Sequence, residues 1–347
     1  MGQAAGWAPD TRGGASLVST LAPAGVEILA EALQARFGQR LRRAEPLAAH
    51  TTLRVGGPAD LWLTVTSLDE LVTAVGLAWQ LDFPVLVLGS GANLLVSDRG
   101  VRGLVVQNRC QRTTFPGEEL KSEVEQLPYV LVESGTILPS LANRLAQHGL
   151  SGLEWAVGVP GTVGGAVVNN AGAHGSSIAD CLVQAELYQR TSQRRQWKPV
   201  TWFEYGYRSS RLKRRAGGQT SERLEQYVVL QAKLELRRRP PGEIERHMAA
   251  YTERRRATQP SGPSVGSMFK NPPGDFAGRL IEAAGLKGTQ VGGAQISLVH
   301  ANFFVNLGHA TAADFAHLVE LTRQAVRADF GIELELEIEQ IGDWQSE

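Results

Sequence analysis

Apolar positions change their period along this chain, and the period predicts the elements. From Val26 to Phe37, the residues Ile28, Leu29, Leu33 and Phe37 fall at helical spacing. A second helix is predicted from Ser67, whose hydroxyl forms a capping-box pattern with Glu70 ahead of Leu71, Val72, Val75 and Trp79. Apolar runs between turn residues predict strands at Leu61 to Val65, Pro84 to Leu88, Leu94 to Val96, Leu104 to Gln107, Tyr129 to Glu133, Leu182 to Leu187 and Tyr227 to Leu236. Leu141 to His148 reads as a short helix.

Arg237-Arg238-Arg239-Pro240-Pro241-Gly242 then marks a junction, because proline ends the strand and the charges solvate the connector. A helix over Glu243 to Arg256 follows, then a smaller final unit. In it we expect a loop from Pro260 to Pro273, a helix from Asp275, a turn at Gly292 and Gly293, and a strand from Phe303 to Asn306. A helix from Ala312, capped by Thr311 and Asp314, carries the apolar stripe Phe315, Leu318, Val319 and Val326. The last strand, Ile332 to Ile341, alternates: Glu333, Glu335, Glu337 and Glu339 share one face, and Ile332, Leu334, Leu336 and Ile338 the other. Period alone does not rank the four carboxylates.

The mixture of strands and helices gives an α+β class without internal repeats. At 347 residues the chain exceeds one ordinary core. The strand that runs into Gly89-Ser90-Gly91 looks at first like the opening of a dinucleotide-binding βαβ unit, but a long helix must follow such a turn. Here Leu94 to Val96 meets Ser97-Asp98-Arg99-Gly100 and another strand, so that fold is excluded.

Lys plus Arg and Asp plus Glu both total 35, so no basic field invites nucleic acid. The first twenty residues, rich in Gly, Ala and Ser, read as a flexible tail and not a signal peptide, and no apolar run approaches the ~18 residues of a membrane span. Cys110 and Cys181 fit neither a zinc site nor a disulfide framework, which points to buried thiols and a cytoplasmic setting. The histidines show no metal-ligand pairing, so no metal site is expected.

Candidate chemistry lies in four places. Between Trp155 and Ala179 there is no Asp, Glu, Lys or Arg, yet glycine stands at 158, 161, 164, 165, 172 and 175. Such a run can hold a diphosphate by backbone N–H groups, or it can be a place where two backbones pack closely. Arg208, among Tyr205, Tyr207, Ser209 and Ser210, can hold a carboxylate bidentately or can stack on the surface. Ser267, Lys270 and Asn271 share a tight turn, with no Gly-x-Ser-x-Gly elbow around the serine. The glutamates of the last strand are the fourth place, since one that entered a cleft could act as an acid.

Five segments in order carry a resemblance: Thr51-Thr52-Leu53-Arg54-Val55-Gly56-Gly57, Gly89-Ser90-Gly91-Ala92-Asn93-Leu94-Leu95, the glycine run ending Asn169-Asn170-Ala171-Gly172-Ala173-His174-Gly175, Tyr207-Arg208-Ser209-Ser210, and Gly266-Ser267-Met268-Phe269-Lys270-Asn271-Pro272. Together, from Leu47 to Gly342, they resemble the UDP-N-acetylenolpyruvoylglucosamine reductase family, also called UDP-N-acetylmuramate dehydrogenases. The resemblance implies a two-subdomain FAD-binding fold of the vanillyl-alcohol-oxidase type over 21–239, divided near 107/108, followed by a smaller α+β substrate domain over 240–347. It implies non-covalent FAD held by Thr52, Arg54, Gly89, Ser90, Gly91, Ala92, Asn93 and Leu94, and by Gly158, Pro160, Gly161, Thr162, Gly164, Gly165, Asn169, Ala171, Gly172, Ala173, His174 and Gly175.

The family reaction reduces the enolpyruvyl group of a UDP-sugar with NADPH through FAD, in peptidoglycan precursor synthesis. By resemblance Arg208 holds the substrate carboxylate, Ser267 gives the proton, and Glu337, counted back from Gly342, is the assisting acid. Lys270 is a candidate to steady the serine alkoxide. Tyr207, Lys270 and Asn271 are the implied substrate contacts. Leu53 and Leu212 depart from the aromatic residues common in the family, and 214–226 holds no tyrosine, which implies the short-loop form. An FAD-linked oxidase of the same fold and a non-catalytic nucleotide-binding module are the other readings.

Overall fold

The computed structural model describes residues 23–115, 128–216 and 226–344. The expected tail at 1–20 lies outside them, as does most of the tyrosine-free segment 214–226. Helix α1 (Pro23–Phe37) and helix α2 (Leu68–Gln80) cover one face of a four-stranded sheet. Its order is β1 (Leu41–Pro46), β2 (Pro58–Val65), β5 (Val101–Asn108), β3 (Val85–Leu88), with only the β1 pairing antiparallel. The edge strand β1 is too polar to be read from sequence; Arg42, Arg43 and Glu45 keep an edge wet while its backbone pairs with β2. Only half of the expected capping box at Ser67 forms. Its hydroxyl accepts from Glu70 N–H at 3.3 Å, but the Glu70 carboxylate is taken by Thr66 N–H and by Arg40.

The middle unit is a five-stranded antiparallel sheet ordered β12 (Arg194–Pro199), β11 (Leu182–Gln189), β13 (Tyr227–Glu235), β7 (Tyr129–Glu133), β6 (Thr113–Thr114). Helices α3 (Leu138–Gln147) and α4 (Val163–Asn169) pack on it, and α4 is a helix inside the glycine run. Short strand β8 (Leu150–Ser151) and hairpin β9 (Gly172–Ala173) with β10 (Ser176–Ser177) complete the run's surroundings. The junction pairs β14 (Arg237–Arg238) with β8, and helix α6 (Pro241–Thr258) packs its buried Ile244 and Met248 into this same cluster. Cys110 and Cys181 are both buried, which pushes their thiols up to about 12, as small apolar fillers require.

The final unit pairs β15 (Ser264–Ser267), β18 (Phe303–Asn306), β17 (Ala294–Ile296) and β16 (Gln290–Val291), covered by α7 (Ala277–Ala283) and α8 (Ala312–Phe330). The stretch read as a loop from Pro260 thus holds a strand. Both bonds of the α8 capping box at Thr311 and Asp314 form, and Phe315, Leu318, Val319 and Val326 are buried as expected.

The last strand departs from its sequence pattern. Only β19 (Glu339–Ile341) is a paired strand, parallel to β4 (Leu94–Val96). Upstream the chain makes one isolated antiparallel bridge, Leu336 opposite Phe269, in which Lys270 N–H reaches Glu335 O at 2.8 Å and Glu337 N–H reaches Met268 O at 2.9 Å. Its partner there is the segment just past the end of β15, which turns away after that single bridge. Alternation still decides burial, since Leu334 and Ile338 enter the final core.

The units are sewn together by polar groups. Asn306 donates to Leu53 O at 2.9 Å. The Asp98 carboxylate accepts from Ala312 and Ala313 N–H at 2.8 and 2.9 Å, serving otherwise orphaned amides at the start of α8. Asp98→Ala should lower stability by about 1 kcal/mol, read from the denaturant midpoint. An unchanged midpoint would remove this cap from the account.

Candidate active site

Glycine is required where the loop after β3 threads between neighbours. A Cβ at Gly89 would lie 2.4 Å from Thr162 Oγ1, and one at Gly91, where φ is +64°, 2.2 Å from His50 O. Thr52 N–H bonds Gly91 O at 3.2 Å, and Arg54 beside it holds a left-handed φ of 57°. Among the described residues, the backbone N–H groups of Ser90, Gly91, Ala92 and Asn93 find no acceptor in the protein, and the Ser90 hydroxyl is buried without a partner. Four consecutive free donors and an orphaned hydroxyl on one glycine loop suit an anion.

The second glycine segment differs. At the start of α4 the amides of Val163, Gly164 and Gly165 donate to Thr136 O, Ser134 O and Thr162 Oγ1 at 2.9, 2.8 and 3.4 Å. A Cβ at Gly164 would crowd Ser134, one at Gly172 would meet Ser176 O at 2.3 Å, and one at Gly158 would strike Arg255. These positions serve close packing. Gly161, Gly165 and Gly175 keep open faces. Pro160 is exposed, and Ala171 is bonded through its backbone to Ala166 and Ile178. Ala173 lies on the β9 edge. The His174 ring stacks on Tyr251 with centroids 4.1 Å apart, so it points to α6; burial, with Arg254 and Arg255 nearby, lowers its pKa.

The run also positions the arginine. Its C-terminal carbonyls hold the segment that follows: Tyr205 Oη donates to Val167 O at 2.8 Å and Ser210 Oγ to Val168 O at 2.5 Å. Asn170 Nδ2 donates to Gly206 O at 2.9 Å. Between these anchors Gly206 and Ser209 close a tight turn, and Arg208 sits at its tip with φ of 51°. A non-glycine residue held in this region is strained, and such positions gather at functional sites. Its Nε donates to Glu337 Oε1 at 2.6 Å and Nη2 to Gly172 O at 2.7 Å. Two of five guanidinium N–H bonds are thus used.

The structure brings Glu337 to Arg208, which the strand period could not do. The Glu337 backbone is held by Met268 O, and Asn93 Nδ2 donates to Glu337 O at 3.3 Å. Ser267 is one residue from Met268, at the end of β15, and its hydroxyl makes no hydrogen bond among the described residues. Lys270 turns its ammonium to Glu335 rather than to Ser267, and the Asn271 side chain accepts from Ala277 N–H at 3.1 Å. Tyr207 is exposed beside the Arg208 guanidinium. Lys213, on helix α5 (Arg211–Ala216), is a cation that sequence reading missed: Nζ donates to Asn169 Oδ1 at 2.9 Å and lies 3.5 Å from Glu337 O and from Glu339. Ser210 and Asn170 stand in the segments that carry the resemblance, but their bonds run to carbonyls that no motif names. Leu53 is fully buried in the final core and Leu212 is buried in the middle one, so both aliphatic departures still fill their sites. Among the described residues no cluster of metal-ligating side chains exists, and no helix is long and apolar enough to cross a membrane.

Residues 59–194, which hold both glycine segments, match the family profile of an FAD binding domain. The fold and site therefore define an FAD-containing oxidoreductase, α+β throughout, with an FAD-binding region and a smaller α+β unit after it. Residues 258–341 match the C-terminal domain of UDP-N-acetylenolpyruvoylglucosamine reductase. The reductase of Chloroflexus aggregans is 44% identical over 298 residues, covering 86% of this chain and 96% of that one. That of Bacillus subtilis is 38% identical, covering 91% and 99%. The crystal structure of the Thermus caldophilus reductase superposes with a TM-score of 0.68 at 38% identity, over 87% of this chain and 98% of the other. The chain belongs to the UDP-N-acetylenolpyruvoylglucosamine reductase family.

Proposed function

We propose that the protein reduces the enolpyruvyl group of UDP-N-acetylenolpyruvoylglucosamine to UDP-N-acetylmuramate with NADPH, a cytoplasmic step of peptidoglycan precursor synthesis. The observation that carries this reading is the Arg208–Glu337 pair, held at 2.6 Å on the same backbone that holds the Ser267 turn.

The residues present fit FAD. The free amides of Ser90 to Asn93 and the orphaned Ser90 hydroxyl would take its diphosphate, and Thr52, Arg54 and the open faces of Gly161, Gly165 and Gly175 would complete the walls. When bound, FAD supplies the two-electron carrier between NADPH and the sugar. The units over 21–107 and 108–239 would clasp it, and 240–347 would receive the UDP-sugar.

Hydride addition to the double bond places negative charge on the carbon beside the carboxylate. Arg208, with three guanidinium N–H groups to spare, holds that carboxylate and stabilises the charge, an effect worth several kcal/mol at a preorganised site. Glu337 fixes the guanidinium and stands as the acid beside it. Ser267 then breaks its O–H bond as a C–H bond forms at the charged carbon, and solvent reprotonates the oxygen. Tyr207, Lys270 and Asn271 would meet the nucleotide part of the substrate.

Anaerobic mixing tests the reading. NADPH should bleach the yellow flavin and the enolpyruvyl sugar should restore it. Failure of the sugar to restore colour, with oxygen and an alcohol substrate sustaining turnover, would instead mark an oxidase. Denaturation should release free FAD.

A further inference from the structure

Asn302 is 2% exposed and lies outside every segment that carries the resemblance. Its side chain holds both backbone polar groups of Phe269, in the Ser267 turn: Nδ2 donates to Phe269 O at 2.8 Å, and Phe269 N–H donates to Oδ1 at 2.9 Å. Its own carbonyl accepts from Met268 N–H at 2.8 Å. Its own N–H donates to His300 Nδ1 at 3.1 Å, which fixes its placement in turn. A buried amide that spends both ends on another segment's backbone specifies that segment's position.

The bonds continue without a gap. Met268 O accepts from Glu337 N–H at 2.9 Å, Glu337 accepts from Arg208 at 2.6 Å, and Arg208 donates to Gly172 O at 2.7 Å. One chain of hydrogen bonds therefore runs from Asn302 through the proton donor's turn and the acid to the arginine and the glycine run. We propose that Asn302 is a positioning residue that sets Ser267 and Glu337 in register across the substrate. This rests on the proposed reaction, in which Ser267 gives the proton. Displacement of a reacting group by about 1 Å can cost 10²-fold in rate, so the turn's placement is exposed to the loss of the one side chain that holds both polar groups of Phe269.

The test is Asn302→Asp in the holoenzyme. The carboxylate keeps the acceptor for Phe269 N–H but sets an oxygen against Phe269 O where the amide donated. Reoxidation by the enolpyruvyl sugar should fall roughly 10- to 100-fold while flavin bleaching by NADPH stays within about twofold. Hydrogen exchange of peptides spanning 266–271 and 335–338 should accelerate about tenfold, with the β11–β13 ladder unchanged. Reoxidation at the wild-type rate, or an equal fall of both half-reactions, overturns the proposal. Wild-type reoxidation tests the reaction itself, so the two failures are distinct. Should the aspartate prevent folding, wild-type exchange decides: amides of Met268, Phe269 and Glu337 should exchange at least about tenfold more slowly than that of Gly274 in its exposed turn. Equal exchange overturns the proposal.

Discussion

Ser267→Ala should leave the protein folded, yellow and reducible, yet unable to return its electrons to the sugar at a useful rate. The Ser267 hydroxyl has no partner among the described residues, so its removal strands no buried group and should change stability by less than about 0.5 kcal/mol. Its backbone pairing with Phe303 is independent of the side chain. Proton transfer from a placed group contributes typically 10²- to 10⁴-fold, so sugar-driven reoxidation should fall within that range. Stopped-flow absorbance separates the two half-reactions. Reoxidation undiminished in the variant would remove Ser267 as donor, and loss of bleaching as well would place it in cofactor binding. Lys270 offers a second discrimination. Its ammonium is paired with Glu335 and not with Ser267, so Lys270→Met should affect the proton step less than Ser267→Ala does.

Which parts of this site a sequence can reveal follows from the kind of bond that builds it. Elements defined by side-chain period were legible: the alternation from Ile332 gave the burial of Leu334 and Ile338, and the stripe on α8 gave its core face. The pairing of that segment was not legible, because backbone bonds to Met268 and Lys270 carry no side-chain signature. Edge strand β1 was missed for a related reason, since an exposed edge selects charge and leaves no apolar period. Among the glutamates, period gave four equivalents, and only tertiary contact sets Glu337 against Arg208. The anchors Tyr205, Ser210, Asn170 and Asn302 escaped because each bonds a carbonyl or peptide far along the chain. The glycine run offered two readings, cofactor cradle or close packing. In the structure Gly164 and Gly172 are packing glycines, whereas the free amides belong to the shorter loop at Ser90 to Asn93.

That division can be tested by comparing two glycines that both hold a positive φ but have unequal surroundings. Gly91 and Gly175 both have positive φ, +64° and +83°. Alanine at either is strained, by roughly 1 kcal/mol, a factor of about five in an equilibrium. At Gly175 nothing lies within 4 Å of the added carbon, so strain is the whole cost. At Gly91 the carbon would also sit 2.2 Å from His50 O and 2.8 Å from Thr51 Cα, and backbone atoms cannot swing aside as a side chain can. The loop must move, and with it the amides of Ser90, Ala92 and Asn93. Gly91→Ala should therefore weaken FAD binding by roughly 100-fold or more, about 2.7 kcal/mol, and yield nearly colourless protein, whereas Gly175→Ala should lose less than about tenfold. Flavin fluorescence titration of the apoprotein measures both. Equal losses would return the diphosphate to the longer run, while loss confined to Gly91→Ala locates the anion's donors in the loop between β3 and β4.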